Sequence, residues 1–100
     1  MIYITQLIYI KLGQEKVFDE FEAVAIPIIA KYNGKLLLRI RPNKKSYIET
    51  NIENPYEIHI VTFDSDNDLE GFMKDEDRQK LVHLKDQSIE KVVLIKGNKV

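Results

Sequence analysis

His59 is the residue in this chain best suited to moving a proton. An imidazole titrates close to neutral pH, so a modest change of surroundings moves it into the range of a general acid or base. It sits mid-strand in the run YEIHIVTF. A buried, hydrogen-bonded core histidine fits the same position and is the stronger reading from residue type alone. Gln6 interrupts the apolar run IYITQLIYI. Its amide could orient a ligand carbonyl or hydroxyl, or bond a neighbour across a sheet, because buried amides must find partners. Arg39 carries a planar fork that suits a carboxylate. Clipping Glu49 or Glu57 is its plainer role. Tyr32 belongs to a set of phenols (Tyr3, Tyr9, Tyr32, Tyr47, Tyr56) that suit a core, an interface or a pocket for an aromatic or carbonyl-bearing substrate.

Other chemistries lack their residues. The chain has no cysteine, which removes disulfides, thiol nucleophiles and thiolate metal sites. Its histidines, His59 and His83, are far apart without a fixed carboxylate spacing, so no metal site is expected. No G-x-S-x-G, Walker-type loop or G-x-G-x-x-G occurs, and no cofactor is expected. With a net charge of -1 and no broad basic face with aromatics, nucleic acid is not an expected partner. The first strand is too short to span a bilayer and lacks the basic start and cleavage site of a signal peptide. Neither a membrane partner nor export is therefore expected, and the absence of cysteine suits a reducing cytoplasm.

The elements that would position these residues follow from hydrophobic periodicity. Val17, Phe18, Phe21, Val24, Ala25, Ile28, Ile29 and Tyr32 recur in steps of three and four, which predicts an amphipathic helix from Glu15. Glu15, Asp19, Glu20 and Glu22 crowd its early turns and Lys31 its last, in the order the helix dipole favours. Gly13-Gln14 is a weak cap. Pro27 costs roughly 3 kcal/mol inside a helix; it predicts a kink, which the unbroken phase of the stripe favours over a stop near Ile26 and a restart, and Gly34 is expected to end the helix in the left-handed conformation. Strands are predicted over 2–10, 35–41, 56–63 and 89–96. In the second, Leu36, Leu38 and Ile40 are expected on one face. Between it and the third, the polar run 42–55 holds only Tyr47-Ile48 as an apolar pair, an extra strand or a flap. Ser65 is a plausible N-cap for a helix carrying Leu69, Phe72 and Met73, with Asp68 as a weaker form of the capping box. Residues 78–85 continue that helix or form another.

The order is βαββαβ, an α+β ferredoxin-like arrangement with an antiparallel sheet and its helices on one face. Right-handed crossovers make the first and third strands central. The first strand is apolar on both faces, which marks a strand covered on both sides. Residues 1–100 form one domain whose helices can cover one side only, so the other side is expected to meet a second copy.

The chain resembles the dimeric α+β barrel superfamily, and within it a group of short bacterial proteins classed as a domain of unknown function. The resemblance is carried by Phe18 to Phe21, Pro27, the run AKYNGKLLLR from Ala30 to Arg39, Phe63-Asp64-Ser65, Phe72 and VVLIKG from Val92 to Gly97. It implies two ferredoxin-like subunits packed sheet to sheet, in a superfamily that includes cofactor-free monooxygenases, lactone isomerases, haem-degrading enzymes and proteins with no known activity. Arg39 falls where the group has an arginine. Ile40-Arg41 stands in place of the group's glycine pair, Gly13-Gln14 in place of an aspartate, and no tyrosine occurs around Asp77.

Two functions remain open. One is a homodimeric small-molecule-binding or structural protein. The other is a cofactor-independent enzyme of monooxygenase or isomerase type, in which His59 moves a proton, Arg39 holds an anionic group, and Gln6 or Tyr32 orients an aromatic or carbonyl-bearing substrate.

Overall fold

A computed structural model describes residues 1–99. Its strands are β1 (Ile2–Ile10), β2 (Gly34–Ile40), β3 (Glu57–Phe63) and β4 (Ile89–Gly97). Its helices are α1 (Glu15–Ile28), α2 (Asp66–Met73), α3 (Glu76–Lys80) and α4 (Val82–Ser88). The sheet runs β2-β3-β1-β4 and every pairing is antiparallel, so β1 and β3 are central as their apolar runs predict. The Cα envelope measures 36 × 36 × 16 Å, the depth of one sheet and one helical layer.

Helix α1 lays Phe18, Phe21, Glu22 and Ala25 on the sheet. Pro27 has no amide hydrogen to give, and the chain tightens immediately after it into a 3₁₀ turn, Ile29–Tyr32. The helix runs through Pro27 and changes type two residues later, and Ile29 still reaches the core. Asn33, not Gly34, takes the left-handed conformation, at φ 58°. Gly34 serves a different need: a Cβ there would lie 2.6 Å from Ile29 Cγ2 and 2.7 Å from Phe63 Cε1.

Register sorts the sheet into two faces. On the helical side stand Ile4, Gln6 and Ile8 of β1, beside Val61, His59 and Glu57 of β3. Ile4, Ile29, Val61 and Phe63 form a buried cluster there, backed by Tyr32, Leu36, Leu69 and Phe72. Strand β2 corrects the expected grouping. Leu36 pairs with Val61 and Leu38 with Ile60, so Leu37 is an extra residue in a bulge. The bulge reverses the alternation. Leu36 and Arg39 share the helical side, while Leu38 and Ile40 turn to the opposite face.

That opposite face has no helix over it. It gathers Thr5 and Leu7, Ile58 and Ile60, Leu38 and Ile40, and Val93 and Ile95. On the edge strand β4 of this face Ile95 is 54% exposed and Val93 42%.

The second crossover is three short helices. Ser65 caps α2 by accepting from the Asp68 amide at 3.2 Å. Asp68 does not return the bond to the Ser65 backbone; its carboxylate accepts from the Ser65 hydroxyl instead, at 2.9 Å. Asp75 caps α3, accepting from the amides of Asp77 and Arg78. Residues 42–55 form no strand; a short 3₁₀ turn at Lys44–Ser46 is capped by Asn43, and Ile48 is fully exposed.

Candidate functional site

Between the helical face of the sheet and the helices lies a cavity of about 240 Å³. Its walls are mostly apolar: Ile4, Ile8, Phe21, Ala25, Val61 and Phe72 among them. Five side chains with polar heads also line it, namely Gln6, Glu22, His59, Arg78 and Lys85.

Each of these comes from a different element. Gln6 and His59 are register partners on β1 and β3, so they lie side by side on the same face. Glu22 descends from α1, Arg78 from α3 and Lys85 from α4. The side chains of Gln6, Glu22 and Lys85 make no hydrogen bond or ion pair among the described residues. The Arg78 side chain bonds only the Met73 carbonyl among the described residues, at 3.4 Å, and its Nε is buried with no partner. Its guanidinium rests on the Phe72 and Phe21 rings, 5.1 and 5.8 Å from their centroids.

His59 is held from behind. Its Nε2 contacts Glu57, whose side chain is fully buried. Arg39 Nε donates to the same Glu57 oxygen at 2.8 Å, and Arg41 Nε donates to the other at 2.6 Å. Asp19 closes the outer side of the cluster by pairing with Arg41. Burial alone would raise the Glu57 pKa, but hydrogen bonds from His59, Arg39 and Arg41 outweigh it and hold the carboxyl at about 2. An ionised carboxylate can only accept, so the proton of the contact belongs to His59 Nε2. Nδ1 is the ring nitrogen that Glu57 leaves free.

Glu22 has the opposite environment. It is 7% exposed, and burial raises its pKa; His59, Arg39 and Arg78 pull it down without touching it, and Glu57 adds to the rise. Burial likewise lowers the Arg78 pKa from its ordinary value. The cavity thus holds an acid and a guanidinium that sense each other but are not paired.

The residues expected to form a site divide into two places. Gln6 and His59 meet at the cavity. Arg39 stands behind His59, committed to Glu57. Tyr32 lies apart: its hydroxyl donates to Asp75 Oδ2 at 2.6 Å, where Lys31 also binds at 3.0 Å. Those hydrogen bonds, from Tyr32 first and Lys31 next, drive the Asp75 carboxyl well below the usual range. They tie the end of the first crossover to the start of α3. His83 is exposed on α4, and no group of three potential metal ligands occurs among the described residues.

Glu22, Arg78 and Lys85 were not expected at a site. For Glu22 a signal existed: it follows Phe18 by four residues and precedes Ala25 by three, which places it inside the apolar stripe. Arg78 and Lys85 gave none, because they straddle the break at Leu81 and only the fold brings them to one cavity.

No family model matches the chain, and no curated relative does. Solved structures do. A protein of unknown function from Rhodopseudomonas palustris superposes with a TM-score of 0.82 at 13% identity, over 99% of this chain and 82% of that one. A dabb family protein with a ferredoxin-like fold from Mesorhizobium loti gives 0.68 at 15% identity, over 99% and 96%. A protein of unknown function from Bacteroides fragilis, described as dimeric with a ferredoxin-like fold, gives 0.70 at 10% identity, over 98% and 95%. The ferredoxin-like α+β fold read from the sequence, and the resemblance to proteins of that architecture, are borne out. No described helix is long and apolar enough to cross a membrane.

Proposed function

We propose that the chain is a homodimeric protein that binds a small, largely apolar molecule in the cavity between its sheet and its helices. The observation that carries this reading is the set of unpaired polar heads on the cavity wall. Buried polar groups in folded proteins are almost always bonded. Leaving one unmade costs roughly 1–3 kcal/mol. The Arg78 Nε is buried without a partner beside an apolar space that the unpaired Gln6 and Glu22 side chains also line, the composition of a ligand pocket. At about 240 Å³ it suits a single-ring compound or a short chain.

The uncovered apolar face of the sheet supports a second copy packed against it. The dimeric description of the Bacteroides fragilis structure agrees with that reading. In this reading residues 1–100 are one domain that pairs with itself, and Gln6 and His59 contact the ligand. Arg39 acts through Glu57 to orient His59, and Tyr32 acts through Asp75 to hold α3 in place.

A second reading is supported by the Glu57–His59 geometry. A carboxylate on Nε2 leaves Nδ1 uncommitted on a residue that lines the cavity, an arrangement that would prepare a neutral histidine to take a proton. The chain would then be a cofactor-independent enzyme acting on an aromatic or carbonyl-bearing substrate.

Native mass spectrometry of protein purified with nothing added tests the main reading. A dimer carrying a small non-protein mass is the expected result. A monomer at high micromolar concentration would remove the dimer. A bound mass that survives in wild type but is lost in Gln6→Leu would assign it to the cavity. Where turnover of a bound compound is found, His59→Gln is expected to abolish it, and unchanged turnover would remove His59 as the acid or base.

A further inference from the structure

Three buried acids face the helical layer, and their partners differ. Glu57 is saturated by Arg39, Arg41 and His59. Asp75 is saturated by Lys31, Tyr32 and the amides of α3. Glu22 alone has none among the described residues. The cations divide in a complementary way. Of the three arginines, Arg39 and Arg41 both bind Glu57, while Arg78 makes no ion pair among the described residues. Lys85 is half-buried and also makes none, unlike Lys31, Lys74, Lys91 and Lys96. Arg78 and Lys85 both line the cavity, and among the described residues Glu22 is the only acid that does.

We propose that the cavity is a site for a small monocarboxylic acid with an apolar body, its carboxylate held by Arg78 and Lys85 and its body against Ile4, Phe21 and Val61. This rests on the cavity being a ligand site and adds the charge of what enters it. The buried Arg78 Nε supplies a donor that no protein acceptor uses. An arginine fork matches a carboxylate with two parallel bonds. Burial already shifts Glu22 toward its neutral form, and an anionic guest beside it would shift it further the same way. A cationic amine would meet Glu22 favourably but would be placed beside both Arg78 and Lys85.

The proposal is tested by calorimetric titration of the full chain with 3-phenylpropanoate, its neutral amide and the corresponding amine. The acid is expected to bind at least about tenfold more tightly than the amide, the scale of one charged hydrogen bond. Arg78→Gln with Lys85→Gln is expected to erase that preference, so that the acid binds no more tightly than the amide. The wild-type comparison of acid with amide stands on its own if that variant does not fold. Amide binding as tight as acid binding would overturn the charge assignment and leave the cavity as a ligand site. Preference for the amine would overturn it in favour of Glu22 as anchor. Binding of none of the three would overturn the proposal together with the cavity reading.

Discussion

Replacing Glu57 with glutamine isolates the electrostatic support behind His59. The wild-type carboxyl has a pKa of about 2 in the folded chain against an ordinary 4.5. A depressed carboxyl contributes stability that is complete above its unfolded pKa and is lost as pH falls through its folded pKa. At about 1.4 kcal/mol per pH unit, the gap corresponds to roughly 3 kcal/mol. Arg39 and Arg41 keep 33% and 43% of their side chains in solvent, and screening there reduces the figure to about 2 kcal/mol. Urea unfolding at fixed protein concentration, repeated from about pH 5 down to about pH 2, measures it. Wild type is expected to lose about 2 kcal/mol more over that range than Glu57→Gln. Asp75 also titrates there, but it does so in both proteins and cancels in the difference. An equal acid loss in the two proteins would refute the assignment of Glu57 as an ionised anchor for Arg39, Arg41 and His59.

Further outcomes follow from the same geometry. Glu22 has a raised pKa, so the folded chain holds a proton that the unfolded chain releases above 4.5, and stability falls as pH rises past that value. Glu22→Gln is therefore expected to be more stable than wild type at neutral pH, with the gap closing by about pH 4 in thermal melts. Gly34→Ala forces a methyl within 2.6 Å of Ile29 Cγ2 and is expected to cost about 1–3 kcal/mol in denaturant unfolding. Ile60→Lys places a charge in the middle of the uncovered sheet face. It is expected to convert dimer to monomer in analytical ultracentrifugation, with the helical face intact by circular dichroism.

The fold was legible where residue type and position agree. Two apolar faces on β1 and alternation on β3 predict a central pair, and register confirms it. Strand β2 was not legible, because Leu36, Leu37 and Leu38 are equally apolar and nothing in the run marks which residue bulges out. The helix end was half legible. Asn33 and Gly34 both tolerate the left-handed conformation, and the contacts of Ile29 and Phe63 with Gly34 decide which residue is needed for space. At the site, Gln6 and His59 stood out as polar interruptions of apolar strands. Arg39 was legible as a partner of Glu57, its plainer role. Glu22 looked like one more early-turn acid suiting the helix dipole, although its phase put it inward. Arg78 and Lys85 depend on how α3 and α4 pack, which no local pattern encodes.

Occupancy of the cavity is tested most directly by methyl NMR of isoleucine- and valine-labelled protein titrated with 3-phenylpropanoate and its amide. Both faces of the sheet carry such methyls, which makes them separable. Shifts concentrated at Ile4, Ile29 and Val61, with Ile58, Ile60 and Val93 unchanged, are the predicted result. Shifts confined to Ile58, Ile60 and Val93 would place binding on the uncovered face and contradict it.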